Sequence, residues 1–222
     1  MAAAFVRRLD PRLLRLVLVT DGQGDPARIE RTVRDVVQAG VRCVQLRESQ
    51  LSARALMHLC ERLLPLLDDV QGLLLVNDRV DVAAARCAHG AQVGHRSLPP
   101  ALARQVLGPH AVLGFSAHEI AELDQAAEAQ CDFALLSPVW PTTSKPGSPV
   151  LGVARAAHMT SRARLPVVWL GGADTAQLAQ LAEVPAAGRP VGVAVRSAMM
   201  MAEQPGNAAA ELLRALAVLD AN

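Results

Sequence analysis

Residues 16–48 read LVLVTDGQGDPARIERTVRDVVQAGVRCVQLRE, and this stretch sets the pattern that the rest of the chain repeats. An apolar run over residues 16–20 leads through a Gly- and Asp-rich loop into an amphipathic segment over 26–39. A second apolar run follows over 41–46. Asp25-Pro26 places an N-cap residue ahead of Pro at the first helical position. Gly40 stands where a helix ends in a left-handed residue. Both runs are mostly apolar rather than strictly alternating, as strands of a parallel sheet covered by helices should be.

Working outward, the same alternation recurs to the end of the chain. Further strand-like runs fall at 73–76, 91–93, 112–115, 133–136, 167–170 and 191–195, which with the first two makes eight. Helix-like segments lie between them, among them 53–67, 100–107, 119–129, 175–183 and 207–219. Gly108 repeats the C-terminal signal of Gly40, and Ser116 to Glu119 has capping-box spacing. An open doubly wound sheet would give a similar pattern, but eight strands without a G-x-G-x-x-G after the first favour a closed (β/α)₈ TIM barrel. The chain reads as one domain, with a core over about residues 14–219 and dispensable flanks. Residues 137–152, with Pro138, Pro141, Pro146 and Pro149, form a long loop too broken for a helix, and such loops are usually functional.

Composition narrows the function. Hydrophobic residues are 51% of the 222 and aromatic ones 2%, so the core is built from Val, Leu and Ala. A net charge of +1, with no basic stripe and few stacking aromatics, argues against nucleic acid. No apolar run is long enough to span a bilayer, and no secretory signal is recognisable, so a cytoplasmic enzyme is expected. Cys43, Cys60, Cys87 and Cys131 have no C-x-x-C spacing and read as reduced thiols. Small molecules are the expected partners. A homo-oligomer is compatible with a compact enzyme of this size.

In a barrel of parallel strands, ligands bind at the C-terminal strand ends. Those ends here are rich in polar groups. Gln45 and Arg47 share one face of the second strand, an amide and a cation suited to an anion. Asn77-Asp78 offers oxygen ligands for Mg²⁺ or a helix cap. Ser116 ends the fifth strand, with His118 beyond it, read as a capping or surface residue. Thr142, Ser144 and Lys145 combine hydroxyls with a point charge, as a diphosphate requires. Gly171-Gly172 lets backbone approach a ligand, and Ser197 opens a helix after the eighth strand beside Arg196. Together these match the usual phosphate site of such barrels.

Five motifs fall in order: Val44-Gln45-Leu46-Arg47-Glu48, Val76-Asn77-Asp78-Arg79-Val80-Asp81, Pro138-Val139-Trp140-Pro141-Thr142-Thr143-Ser144-Lys145, Gly171-Gly172 and Val193-Ala194-Val195-Arg196-Ser197-Ala198. With this set the chain resembles the thiamin phosphate synthase/TenI superfamily. The resemblance implies transfer of a hydroxymethylpyrimidine from its diphosphate to a thiazole phosphate, with Mg²⁺. It implies that Gln45, Arg47, Asn77, Ser116, Thr142, Ser144 and Lys145 hold the diphosphate and pyrimidine, with Arg47, Ser116 and Lys145 closest to the chemistry. Asp78 would bind Mg²⁺, and Gly171, Gly172, Arg196 and Ser197 the thiazole phosphate.

Two departures accompany the resemblance. Family synthases typically read Gly-Gln-x-Asp-Leu-Pro after the fourth strand, the Asp being a second Mg²⁺ ligand. This chain reads Gly94-His95-Arg96-Ser97-Leu98-Pro99, with Ser97 in the carboxylate position. Ser49 also stands where synthases usually carry Lys. Both point toward the TenI branch, whose members isomerise a thiazole carboxylate phosphate. However, the His that some of those members carry in the sixth-strand loop is Pro138 here. A non-catalytic thiazole phosphate binder and an unrelated sugar-phosphate barrel are the remaining readings.

Overall fold

The computed structural model describes residues 9–142 and 149–217. Eight parallel strands close into a barrel in sequence order: β1 Leu16–Val19, β2 Cys43–Leu46, β3 Leu73–Asn77, β4 Gly90–Val93, β5 Val112–Ala117, β6 Phe133–Leu136, β7 Val167–Leu170 and β8 Gly192–Val195. Closure is made by β8 against β1, with Leu16 opposite Val193 and Leu18 opposite Val195. The (β/α)₈ barrel expected from the alternation is the fold observed.

Helices follow the strands: α1 Pro26–Gln38, α2 Ala53–Asp68, α3 Val80–Ala84, α4 Pro100–Leu107, α5 Ile120–Glu128, α6 Val153–Arg162, α7 Thr175–Ala179, α8 Ser197–Met200 and α9 Pro205–Leu216. Asp25 caps α1 as its position suggests, accepting from the Arg28 amide at 3.1 Å. The segment expected as one helix over 175–183 is α7 followed by a 3₁₀ turn, Gln180–Glu183. α3 and α6 were not among the segments marked as helical.

One local expectation is corrected. Ser116 does not open a capping box, because β5 continues through Ala117, pairing Ser116 with Leu135 and Ala117 with Leu136 of β6. The box lies three residues on. Glu119 is the N-cap and Glu122 its partner, with Glu122 Oε2 accepting from the amides of Glu119 at 3.2 Å and His118 at 2.5 Å.

Strand register divides the core in two. Inward side chains Val17, Cys43, Leu73, Leu75, Phe133, Val168 and Ala194 fill the barrel lumen. Outward ones such as Leu18, Val44, Leu74, Val76, Leu113 and Trp169 meet the helices. The lumen is tight: a Cβ on Gly114 would lie 2.5 Å from the Phe133 ring, so one large aromatic fills the space a second side chain would need. Outside, Trp140 packs edge-on against Trp169 with centroids 5.8 Å apart, joining the loop after β6 to β7.

All four cysteines are free. Burial pushes the thiols of Cys43, Cys60 and Cys131 up to about 12, whereas Cys87 is only half-buried. The thiolate is the reactive form, so a thiol reagent at neutral pH should label Cys87 alone in the native protein and all four after denaturation. A second rapidly labelled native thiol, located by peptide mapping, would contradict this packing.

Candidate active site

At the C-terminal end of the strands a cavity of about 490 Å³ opens. That volume suits small-molecule sites. Its apolar lining comes from inward side chains at the upper ends of four strands, Val19, Leu135, Leu170 and Ala194. Polar groups surround this lining because the last inward positions of β2, β3 and β5 are Gln45, Asn77 and Ser116. The change from apolar to polar occurs within one two-residue step of each strand.

The polar groups form a connected network on the β2–β4 side. Gln45 is buried and donates from Nε2 to Asn77 Oδ1 at 2.8 Å. Asn77 Nδ2 donates in turn to Asp78 Oδ2 at 2.6 Å. Asp78 has a φ of 61°, in the left-handed region that Asp tolerates better than most residues, and its amide donates to the Gln92 carbonyl at 2.9 Å. Ser97 Oγ donates to Asp78 Oδ1 and accepts from the Gly94 amide at 2.7 Å. Gln92 Nε2 donates to Ser116 Oγ at 3.0 Å.

Arg47 is exposed and lines the same cavity. An Arg47–Glu48 pair closing the barrel would have consumed its charge. Glu48 is instead buried and accepts from the amides of Gly22 at 3.1 Å and Gly24 at 2.8 Å, holding the loop between β1 and α1. The Arg47 guanidinium therefore stays available to a ligand.

Opposite lies a glycine-lined corner. Gly171 and Gly172 have φ of 113° and 64°, and Ser197 opens α8 beside them at the cavity wall. Arg196 also lines the cavity, with its Nε buried and without a hydrogen-bond partner. An unpaired buried donor of this kind needs an acceptor from a ligand or water. Thr142 reaches the cavity as well. Ser144 and Lys145 lie outside the described residues.

Sequence reasoning missed two groups. His95 and His118 line the cavity and stack with centroids 5.5 Å apart. Glu122 joins them, pairing with His95 Nε2 at 2.8 Å. His118 Nδ1 donates to the Ser137 carbonyl at 2.5 Å, which fixes that tautomer of the neutral ring. The sequence places His118 just beyond the fifth strand, where it reads as a capping or surface residue because no partner carboxylate is identifiable from spacing.

The fold and cavity define a class, the (β/α)₈ TIM barrels with a cavity at the C-terminal strand ends, here with an apolar floor and two separate polar ends. The family follows from comparison. A family model described as thiamine monophosphate synthase matches residues 16–199. The chain is 36% identical over 203 residues to a thiamine-phosphate synthase of Vibrio campbellii, covering 90% of this chain and 96% of that protein. It is 37% identical over 204 residues to a putative thiamine-phosphate synthase of Geobacter sulfurreducens, covering 90% and 93%. The solved thiamine phosphate pyrophosphorylase of Pyrococcus furiosus superposes with a TM-score of 0.82 at 28% identity, covering 94% and 98%. The chain belongs to the thiamine monophosphate synthase family, and by that membership is a transferase of thiamin biosynthesis.

Gly172 gives a direct test of the corner. A Cβ there would lie 1.9 Å from the Pro141 carbonyl oxygen, on a backbone of positive φ. Gly152 also has positive φ, 74°, but a Cβ there meets nothing within 4 Å. Gly172→Ala should therefore cost about 1–3 kcal/mol from the clash beyond the roughly 1–3 kcal/mol of conformational cost expected for Gly152→Ala, whose φ of 74° with ψ of 157° is adopted almost only by glycine. Paired thermal or denaturant melts of the two variants measure the difference, and equal losses would contradict the close approach.

Proposed function

We propose that this protein joins a hydroxymethylpyrimidine diphosphate to a thiazole phosphate, releasing diphosphate and forming thiamin phosphate. The observation that carries this reading is the two-ended cavity. One end holds the Gln45–Asn77–Asp78 network with an unpaired Arg47, the other holds Gly171, Gly172, Arg196 and Ser197, and apolar side chains lie between. A sugar-phosphate barrel would need the glycine corner alone.

In the proposed reaction the C–O bond to diphosphate breaks and the electron pair leaves with the diphosphate oxygen. The thiazole nitrogen then supplies the pair that forms the new C–N bond, so no base is required. The protein's task is to neutralise the leaving group and hold the rings in line. Arg47, Asn77, Ser116 and Thr142 serve the first role, with Ser144 and Lys145 assigned to it from sequence. Backbone amides around Gly171–Gly172 and Ser197, together with Arg196, anchor the thiazole phosphate. The apolar floor orients both rings and limits water at the reacting carbon.

Mg²⁺ fits this site as one ion. Asp78 supplies one carboxylate, and magnesium is commonly held by one or two carboxylates with substrate phosphates and water. Among the described residues no group of three or more His, Cys, Asp or Glu side chains could cage a metal alone. Asp78, with the Asn77 amide beside it, would hold the ion. Bound there, it would supply charge neutralisation to the diphosphate.

Incubation with the pyrimidine diphosphate, the thiazole phosphate and Mg²⁺ should yield thiamin phosphate and one equivalent of diphosphate. Absence of product, combined with solvent-deuterium exchange into a thiazole carboxylate phosphate, would replace this reading with the tautomerase one. Ser97→Asp places a second carboxylate beside Asp78 and should raise the rate gained per increment of Mg²⁺. A Mg²⁺ titration superimposable on wild type would remove Ser97 from the metal's surroundings.

A further inference from the structure

The turn after β4 is held at both ends around a side chain that has no partner. Residues Gly94 to Ser97 close on themselves, with the Ser97 amide donating to the Gly94 carbonyl at 2.9 Å and the Gly94 amide donating to Ser97 Oγ at 2.7 Å. On one side of the turn His95 is tied to Glu122 of α5 at 2.8 Å. On the other, Ser97 Oγ donates to Asp78. Between these anchors sits Arg96. It is exposed, it lines the cavity, and among the described residues it makes no ion pair or hydrogen bond through its side chain.

The neighbouring charges give this a meaning. Asp78, after β3, falls in strand order between Arg47, after β2, and Arg96, after β4, and all three line the cavity, yet it pairs with neither. Its two oxygens take Ser97 Oγ and Asn77 Nδ2 instead. Two guanidinium groups beside a carboxylate would ordinarily neutralise it. Here neither guanidinium is used to neutralise the carboxylate, and among the described residues both remain open to an anion from solution. A diphosphate carries more negative charge than one divalent ion neutralises, and a guanidinium fork matches its oxygens two at a time.

The geometry points to Arg96 as a second diphosphate-gripping side chain, acting with Arg47 across Asp78, so that this protein binds diphosphate in part without metal. This inference rests on the reading of the cavity as a diphosphate site. The anchors matter because a side chain carried on a fixed turn loses less freedom on binding than one on a mobile loop.

Calorimetric titration of inorganic diphosphate into the full-length protein tests it, once with EDTA and once with Mg²⁺. Arg96→Gln should weaken metal-free binding by about tenfold, the size expected for loss of one charge-assisted contact. The loss should shrink when Mg²⁺ is present. Arg96→Lys, which keeps the charge without the fork, should fall in between. Arg31→Gln, an exposed position on α1 outside the cavity, makes the same change in net charge and should bind as wild type. If Arg96→Gln and Arg31→Gln bind alike, the assignment of Arg96 is overturned while the diphosphate site stands. If the wild type fails to bind diphosphate under either condition, the site reading falls and the inference with it.

Discussion

Pairing of β8 with β1 converts a row of strands into a closed ring, and every feature of the cavity depends on that closure. In a closed barrel the inward positions of neighbouring strands are locked together by register. Val19 stands beside Gln45, Gln45 beside Leu75, and Leu170 beside Ala194. A slip of one residue in any strand would send its inward side chains out to the helices. The apolar lumen resists such a slip, because Phe133, Leu73 and Val168 have no alternative site of matching volume. The lower lumen therefore fixes the upper rim. Gln45, Asn77 and Ser116 face the cavity because the residues two positions before each of them face the lumen.

Asp78 shows how the rim is then tuned by loops. The strand delivers Asn77 inward, and a single left-handed residue turns the chain so that the next carboxylate also reaches the cavity. Ser97 and Asn77 hold that carboxylate by hydrogen bonds while leaving the nearby guanidinium groups unpaired. A direct Asp78–Arg47 pair would have been a simpler way to satisfy both charges. It would also have filled the cavity with its own counter-ion and displaced any anionic ligand.

Much of this was legible in the sequence, for identifiable reasons. Continuous apolar runs and Gly–Pro punctuation located the eight strands to within two residues at either end, since burial on both faces leaves no polar residue to confuse the period. The helices α3 and α6 were harder. α3 has five residues, too few for a helical period, and α6 carries Arg155, His158 and Arg162 among few apolar residues. The rim residues could be named because a polar residue directly after an apolar run has few roles in a barrel. Ser116 was misread because its spacing from Glu119 satisfies a cap as well as a strand end, and only pairing with β6 decides between them. The His95–Glu122–His118 cluster was out of reach, because it joins two loops whose proximity exists only once the barrel has closed.

The two ends of the cavity rely on different physics, and their sensitivity to substitution differs accordingly. At the glycine corner the cavity wall is backbone, fixed by the fold and independent of side-chain identity apart from the absence of a Cβ. Such a site tolerates change nowhere that backbone approaches backbone, as Gly172 does at Pro141. At the β2–β4 end the groups are side chains on short loops, and charge can be redistributed among them with the backbone unchanged. Ser97 carries no charge of its own yet holds the turn, since its hydroxyl bonds both Gly94 and Asp78. The barrel can thus keep its glycine corner constant while the balance between carboxylate and guanidinium shifts at the other end. The balance of charge at the β2–β4 end is consequently a property of this chain's own loop residues, whereas the shape of the glycine corner follows from the fold.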